Sequence, residues 1–190
     1  MSAAKKRELR NKNDFYPTPK WCVDELLAEL KPKCMSGKNF LEPCKGDDVI
    51  FDKVSLLQPL HREYCELTEG RDYLKVHYST DIIITNPPFS LAQEFLTKSL
   101  GEAQFVAYLL RVNFLGAQKR FEWWQGIEPD HLFILSRRPD FSGEGGDCTE
   151  YAWFVWDNLD LCARNPGIHI IWNTKKQKKK NLPNMSFAEK

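Results

Sequence analysis

Four consecutive residues, Asn86-Pro87-Pro88-Phe89, form the most specific chemical motif in the chain. They follow Asp81-Ile82-Ile83-Ile84-Thr85, a β-branched run typical of a strand buried on both faces. The two prolines stiffen the backbone and remove two amide donors, which leaves carbonyl groups free to accept hydrogen bonds. The Asn86 side-chain oxygen and the Pro87 carbonyl can hold both hydrogens of an amino group attached to a ring, while Phe89 stacks on that ring. The motif therefore indicates chemistry at an amino nitrogen.

A second group of residues is typical of a nucleotide-like cofactor site. Gly46 lies in the turn after a short predicted strand, where a residue without a side chain lets the backbone approach a ligand. Glu42 begins that turn and can accept from an ammonium group through water. Glu66 lies 24 residues beyond Glu42, a spacing that suits the ribose hydroxyls of an adenosine. Asp72 can accept from an adenine amino group, and Tyr73 can pack beside that ring.

The chain resembles the adenine-N6 DNA methyltransferases, particularly the small phage-encoded type. The similarity rests on the tetrapeptide above and on four further segments: 13–19, 40–47, 136–141 and 151–156. It implies a Rossmann-like class I methyltransferase fold, S-adenosylmethionine as the cofactor and DNA as the partner. It also implies that an adenine flipped out of the duplex meets the catalytic residues Asn86, Pro87, Pro88 and Phe89. The implied cofactor site comprises Tyr16, Pro17, Thr18, Pro19, Glu42, Pro43, Gly46, Glu66, Asp72, Tyr73 and Asn86.

The cofactor loop departs from the family pattern at one position. Family members usually carry a second glycine after Gly46-Asp47, whereas this chain has Asp48. If that position needs a positive φ, aspartate tolerates it better than most residues, at some cost to cofactor binding. Asp48 could instead cap the following helix. Cys44 follows a proline, as the nucleophile of cytosine-C5 methyltransferases does, but it lies in the cofactor loop, and we interpret it as a packing residue.

The elements that must position these residues alternate between short apolar strands and helical patterns. This alternation predicts an α/β fold with a mostly parallel sheet, helices on both faces and an antiparallel hairpin at one edge. Strands are predicted at 39–41, 63–67, 81–85, 105–110, 132–135, 151–156 and 168–172. Helices are predicted at 20–30, 48–57, 91–100 and 116–124. Thr18 and Ser90 are the expected caps of the first and third helices.

Charge is strongly segregated along the chain. Residues 1–20 carry a net charge of +4 and residues 164–190 a net charge of +6, so a total of +1 leaves −9 on the body between them. Basic ends on an acidic body suit contact with a polyanion such as nucleic acid, although for the tail alone a solvated, disordered segment explains the charge equally well. The predicted nucleic-acid contacts are Arg137, Arg138, Lys175 and Lys176. The predicted divisions are a basic extension (1–12), a methyltransferase domain (13–173) and a basic tail expected to be disordered (174–190).

Composition and cysteine spacing narrow the class of protein further. Apolar residues make up 42% and charged residues 28% of the chain, which is typical of soluble globular proteins. No apolar run approaches the ~18 residues of a membrane span, and the polar N-terminal segment is unlike a secretory signal. We therefore expect a cytoplasmic protein without membrane contact. The six cysteines and four histidines lack CxxC-type spacing, so no metal site is predicted.

Two alternatives remain open from the residues alone. Glutamine methyltransferases of translation release factors also use an Asn-Pro-Pro-aromatic turn, usually with tyrosine, so a protein or RNA amino group could be the substrate. A nucleic-acid-binding module could also keep the fold without turnover.

Trp123 and Trp124 are interpreted mainly as core residues, with base stacking as the alternative. About forty residues separate Arg111 from Glu150, too few for a separate recognition domain, which predicts low or short sequence specificity.

Overall fold

Seven strands form one sheet in a computed structural model, which describes residues 16–141 and 148–172. In chain order the strands are β1 Asn39–Glu42, β2 His61–Tyr64, β3 Ile82–Thr85, β4 Phe105–Arg111, β5 His131–Leu135, β6 Tyr151–Asp157 and β7 Gly167–Ile171. Their order across the sheet is β2-β1-β3-β4-β6-β5-β7. Strands β2, β1, β3 and β4 are mutually parallel, β6 is antiparallel to β4 and β5, and β7 is parallel to β5.

Helices cover both faces of this sheet, as predicted. They are α1 Lys20–Ala28, α2 Pro32–Met35, α3 Val49–Ser55, α4 Ala92–Glu102 and α5 Phe121–Trp124. Because side chains alternate along a strand, Ile82 and Ile84 of β3 join the core beneath α1 and α3. Ile83 joins the opposite core beneath α4 and α5. The β-branched run is thus buried on both sides, which explains its continuous hydrophobicity.

Strand β6 links the sheet to the first helix. Trp153 in its middle is fully buried, and its indole Nε1 donates to the Cys22 carbonyl of α1 at 2.9 Å. Burial of a large aromatic side chain of this kind stabilises a fold by about 2–3 kcal/mol. The same helix leads back to residues 16–19, so this packing helps to fix their position above the sheet.

The strand order reverses around β1, which lies between β2 and β3. The loops after β1 and β3 therefore leave the sheet toward opposite sides and open a crevice at the carboxyl ends of these strands. This is the end at which the sequence places both the cofactor loop and the Asn86 motif.

Several boundaries differ from those predicted. The segment predicted as a strand over 63–67 pairs with β1 only over His61–Tyr64. It ends there because the Glu66 carboxylate accepts from the Thr68 amide and begins a 3₁₀ turn, Leu67–Glu69. The helix predicted over 116–124 consists of a 3₁₀ turn at Gln118–Arg120 followed by α5.

The antiparallel hairpin is formed by β5 and β6, and β7 extends the sheet beyond it. The predicted basic extension at 1–12 and the tail at 174–190 lie outside the described residues. Within the described ranges, no helix is long and apolar enough to cross a lipid bilayer.

Candidate active site

A cleft of about 570 Å³ opens at the carboxyl ends of β1 and β3. Its wall is formed by the loop after β1, the turns after β2 and the turn after β3. The predicted site residues that line it are Tyr16, Thr18, Pro43, Gly46, Glu66, Asp72, Tyr73, Asn86, Pro87 and Pro88. Four others lie outside this lining: Pro17, Pro19, Glu42 and Phe89. The fold thus brings most of the predicted residues to one cleft.

Asn86 is held in one orientation by two acceptors. Its Nδ2 donates to the Tyr16 carbonyl at 3.0 Å and to the Thr18 hydroxyl at 3.1 Å. A carbonyl oxygen can only accept, so the NH₂ group must face Tyr16 and Oδ1 must face away from it. Oδ1 is buried, and no group in the described ranges donates to it. Such an acceptor costs about 1–3 kcal/mol unless a ligand supplies the donor.

The same contacts explain why Thr18 is not the cap of α1 that its position predicted. Pro19 occupies the N-cap position, and no side chain caps the helix there. The hydroxyl of Thr18 points to Asn86 instead. Thr18 therefore acts on the orientation of the Asn86 amide rather than on the helix.

The two prolines differ in how their carbonyl groups are used. The Pro88 carbonyl accepts from the Leu91 amide at 3.0 Å, which closes the turn before α4. No donor within residues 16–141 and 148–172 reaches the carbonyl of Pro87, which lines the cleft. Helix α4 begins after Leu91 and not after Ser90, the predicted cap. Two acceptors, Asn86 Oδ1 and the Pro87 carbonyl, are thus left available side by side in the sequence.

Phe89 belongs to an aromatic cluster that the sequence did not identify. Its ring centroid lies 5.1 Å from that of Tyr16, 5.9 Å from Tyr151 and 6.3 Å from Phe141. The Arg111 guanidinium lies 4.9 Å from the Phe89 ring centroid, and its Nε donates to the Tyr151 hydroxyl at 2.8 Å. Guanidinium groups and aromatic rings both stack well on nucleobases. We call Tyr16, Phe89, Phe141 and Tyr151 the aromatic cluster.

Glu66 is fixed at the opposite end of the cleft by backbone amides. Its Oε2 accepts from the Gly46 amide at 3.1 Å, and its Oε1 accepts from the Thr68 amide and hydroxyl at 3.0 and 2.7 Å. Burial opposes the charged form, but the hydrogen bonds from Thr68 and Gly46 outweigh it and lower the pKa of Glu66. Each carboxylate oxygen has two lone pairs, so Oε2 can still accept from a ligand hydroxyl.

Asp72 and Tyr73 form the neighbouring part of the wall. Asp72 accepts from the Leu74 amide at 3.1 Å and pairs with the Lys75 ammonium at 3.1 Å. Tyr73 is 1% exposed, and its hydroxyl bonds to Ser99 and Glu102, both at 2.9 Å. Its ring is therefore a rigid part of the core that reaches the cleft, and the expected contact with an adenine ring stays a prediction.

Glu42 lies behind the cofactor loop and not on the cleft wall. It is 1% exposed, and no group in the described part of the chain bonds to its Oε2. Burial is the main reason that the pKa of Glu42 is raised well above its usual value, and the nearby charges of Asp47 and Asp48 add to the effect. Its expected contact with a cofactor ammonium group stays a prediction.

Asp48 has the backbone conformation that a glycine would favour. Its φ is +65°, in the left-handed region, so the suspected need for positive φ at this position is confirmed. The suggestion that it caps α3 is wrong, because its side chain makes no cap hydrogen bond. Its carboxylate instead lies 3.2 Å from the Lys45 ammonium.

Cys44 fits its interpretation as a packing residue, since burial raises the pKa of its thiol and it packs against the core under α4.

Two of the predicted nucleic-acid contacts, Arg137 and Arg138, are among the described residues, and both are exposed. Arg137 lies over the Trp21 ring at 5.4 Å, whereas the charge of Arg138 is offset by Glu150, whose Oε1 lies 2.5 Å from the guanidinium. Lys175 and Lys176 lie outside the described residues. Trp124 is 7% exposed and belongs to the core, whereas the partly buried Trp123 packs against it with tilted rings and donates to the Thr97 hydroxyl.

The sequence matches no model of a known protein family and no curated protein. Solved structures match it through their fold. A candidate RNA methyltransferase from Pyrococcus horikoshii superposes with a TM-score of 0.59 at 16% identity, covering 76% of this chain and 88% of that one. A candidate class I S-adenosylmethionine-dependent methyltransferase from Listeria monocytogenes gives a TM-score of 0.55 at 11% identity, covering 87% and 68%.

A third structure is the modification subunit of a candidate type I restriction enzyme from Vibrio vulnificus. Its TM-score is 0.53 at 12% identity, and the match covers 87% of this chain and 52% of that subunit. At these identities the likeness concerns the fold alone. Together with the observed strand order and register, it shows that this chain has the Rossmann-like α/β fold of the class I methyltransferases, as its sequence predicts.

Proposed function

We propose that this protein transfers a methyl group from S-adenosylmethionine to the exocyclic amino nitrogen of adenine in DNA. The observation that carries the proposal is the state of Asn86. Its NH₂ group is engaged by Tyr16 and Thr18, while its buried Oδ1 has no donor in the described ranges. A ligand that brings an N–H to this point removes the penalty of about 1–3 kcal/mol for an unpaired acceptor.

The other end of the cleft suits the cofactor. A volume of about 570 Å³ lies within the range of roughly 300–1,000 Å³ that is typical of small-molecule sites. Glu66 and Asp72 would accept from the ribose hydroxyls and the adenine amino group of the cofactor, and Gly46 would let the backbone approach it. S-adenosylmethionine would supply an electrophilic methyl group on a positively charged sulfur.

Asn86 and Pro87 would prepare the amino nitrogen of the target base. The lone pair of that nitrogen is delocalised into the purine ring, which makes it a poor nucleophile. Asn86 Oδ1 and the Pro87 carbonyl would each accept one of its hydrogens and favour a pyramidal nitrogen whose lone pair points toward the methyl carbon. Transfer of the methyl group to that nitrogen would release S-adenosylhomocysteine, and the nitrogen would lose one proton to water.

The aromatic cluster supports a base as the substrate. A nucleobase that leaves the duplex needs a stacking surface to replace its neighbours, and each stacked base gains about 1–3 kcal/mol from an aromatic side chain. The Phe89 ring packs against Tyr16, whose carbonyl holds the Asn86 amide, and Arg111 adds a cation beside the Phe89 ring. An aliphatic glutamine side chain would gain much less from this surface.

Product identification tests the proposal. The purified protein is incubated with S-adenosylmethionine labelled in its methyl group and, in separate reactions, with DNA, RNA or protein. Nucleoside mass spectrometry of the DNA should reveal labelled N6-methyladenine. The Asn86→Ala variant should form it at least about 100-fold more slowly, whereas a control at the exposed Asn158, Asn158→Ala, should match the wild type.

Label in RNA or protein but not in DNA would overturn the choice of substrate. Calorimetric titration with S-adenosylmethionine separates this outcome from a loss of enzymatic function. A folded protein that binds no cofactor would contradict the enzymatic proposal and leave a binding module on the same fold.

A further inference from the structure

Three potential metal ligands meet at the end of the sheet opposite the cleft. His131 begins β5, Asp157 ends β6, and Cys162 follows in the next loop. Asp157 pairs with Phe105, the first residue of β4, whereas the cleft lies at the last residues of the parallel strands. We call His131, Asp157 and Cys162 the distal cluster. It shares no residue with the proposed active site.

The geometry of the distal cluster is close to that of a metal site. One ligand atom from each side chain lies within 4.8 Å of the other two. In a tetrahedral zinc site with bonds of about 2.0–2.3 Å, ligand atoms lie roughly 3.3–3.8 Å apart. The three groups would therefore need to approach one another by about 1 Å, which side-chain torsions can supply. His131 is 3% exposed and Cys162 is 2% exposed, so a bound ion would be largely shielded from water.

An unpartnered nitrogen gives independent support for a ligand at this point. Nδ1 of His131 is buried, and no group in the described part of the chain bonds to it. Buried side-chain nitrogen atoms nearly always have a hydrogen-bond partner, so one without a partner needs an explanation.

The electrostatics of the cluster also favour a cation. The Asp157 carboxylate lies within the cluster, and Asp130 is held beside it by a hydrogen bond of 2.8 Å from the Asp157 amide. Lys31, in the segment that bonds to the Cys162 loop, pairs with Asp160 at 2.8 Å. A divalent ion would compensate this excess of negative potential.

We propose that the distal cluster binds one zinc ion through a ring nitrogen of His131, a carboxylate oxygen of Asp157 and the Cys162 thiolate. Imidazole, thiolate and carboxylate are the three ligand types that proteins use for zinc, and water completes the tetrahedron. His131 and Asp157 are 26 positions apart, and Asp157 and Cys162 are 5 apart. Because no two of them form a local ligand pair, the sequence alone does not indicate the site.

The ion would have a structural role. Asp157 already shapes the loop by accepting from the Leu161 amide at 2.9 Å and the Cys162 amide at 2.7 Å. This loop is joined to the segment after α1, because the Lys31 amide donates to the Leu161 carbonyl at 2.7 Å. A zinc ion would tie β5, β6 and this loop together, and α1 leads directly to the residues that orient Asn86.

Metal titration of the full chain tests the proposal. Protein stripped with a chelator is titrated with Zn²⁺ against a chromophoric competitor, and thermal unfolding is followed with and without the metal. We expect one ion per chain and a higher midpoint of unfolding with zinc. Loading with Co²⁺ should give the near-ultraviolet absorption of a cobalt–thiolate bond.

Matched variants assign the ligands. His131→Phe keeps an aromatic ring stacked on Phe133, whose centroid lies 5.4 Å away, so it should fold and lose zinc binding. Cys162→Ser should lose the cobalt–thiolate absorption. Substitution of the exposed cysteines, Cys34→Ser and Cys148→Ser, should change neither signal. Binding well below one ion per chain, or unchanged binding in both His131→Phe and Cys162→Ser, would overturn the proposal, whatever the outcome of the methyl-transfer assay.

Discussion

The two ends of the cleft differ in how their polar groups are paired. At the end formed by the loops after β1 and β2, the carboxylates of Glu66 and Asp72 both accept hydrogen bonds from backbone amides, Glu66 from Gly46 and Thr68 and Asp72 from Leu74. At the end formed by the turn after β3, Asn86 Oδ1 and the Pro87 carbonyl have no donors in the described ranges. We call these the cofactor end and the substrate end.

This difference shows which part of the site has its hydrogen bonds complete without a ligand. The cofactor end holds its acceptors in place through the protein's own backbone, so their positions do not depend on what is bound. At the substrate end, the unpaired buried acceptor lowers the stability of the folded protein by about 1–3 kcal/mol. Strain of this kind concentrates at functional sites, where a ligand relieves it. Substitutions at the substrate end should therefore change the reaction rate more than substitutions at the cofactor end.

Of these substitutions, Asn86→Ala should have the largest effect on the reaction rate. We expect kcat to fall about 100-fold or more, because both the acceptor and its orientation by Tyr16 and Thr18 are lost. The Kd for S-adenosylmethionine should change by less than about threefold, since the carboxylates at the cofactor end keep their contacts. Steady-state kinetics and calorimetry measure the two quantities. Equal losses in kcat and in cofactor affinity would remove the distinction between the two ends.

Phe89→Ala should weaken substrate binding next most strongly. Loss of a stacking surface worth about 1–3 kcal/mol corresponds to a 5- to 150-fold rise in the Kd for DNA that contains the target adenine. Phe89→Tyr keeps the ring and should restore most of the affinity. Fluorescence anisotropy with labelled DNA measures both variants. If Phe89→Tyr were as weak as Phe89→Ala, the ring would not be the stacking surface.

Glu66→Gln tests the cofactor end. One carboxylate oxygen becomes an NH₂ group that cannot accept, so we expect the Kd for S-adenosylmethionine to rise about tenfold. The expected change in kcat at saturating cofactor is small. Glu69→Gln is the matched control, because Glu69 bonds to Lys45 and Tyr64 and does not line the cleft. A loss of kcat without a loss of cofactor affinity would contradict the assignment of Glu66 to the cofactor end.

Glu42→Gln tests the carboxyl group behind the cofactor loop through pH. Because its pKa is raised in the folded state, Glu42 holds a proton that the unfolded chain releases above about pH 4.3. Its stabilising contribution is complete below that pH and is lost as pH rises through the folded pKa. The variant should therefore gain stability relative to the wild type at about pH 8, and the gain should shrink toward pH 5. A pH-independent difference in urea unfolding would contradict this.

Asp48→Gly should have the smallest effect. Glycine adopts a φ of +65° without the steric penalty of a side chain, so we expect unfolding to cost up to about 1 kcal/mol more. The Lys45–Asp48 pair, in which the aspartate side chain is about half exposed, contributes little in return. Asp48→Asn removes the charge and keeps a side chain, so it separates the two contributions. Greater stability in Asp48→Asn than in Asp48→Gly would assign the effect to charge.

The sequence predicted the parts of the molecule that short-range patterns encode. The run Ile82–Thr85 and the prolines after it placed β3 and the substrate end, because a buried strand and a stiff turn leave local signals. Strand β2 was misplaced because His61–Tyr64 is a largely exposed edge strand with no apolar alternation. Glu66 adjoins it as a turn cap, a role that depends on side-chain geometry.

Long-range contacts were out of reach of the same reasoning. Arg111 and Tyr151 meet Phe89 only because β4 and β6 are neighbours in the sheet. The distal cluster likewise needs the pairing of β5 with β6. No local pattern indicates that residues far apart in the sequence lie close together in the fold, so a single sequence cannot reveal such sites.

One binding experiment tests the central claim, that Asn86 Oδ1 receives the adenine amino group. Once the methylated position in DNA is mapped, duplexes carrying adenine or purine there are compared, since purine lacks only the amino group. We predict that the wild type binds the adenine duplex at least about tenfold more tightly, because purine offers no hydrogen to either acceptor, and that Asn86→Ala, which keeps only the Pro87 carbonyl, shows a clearly smaller preference. An equal preference in both proteins would show that the amino group is bound elsewhere.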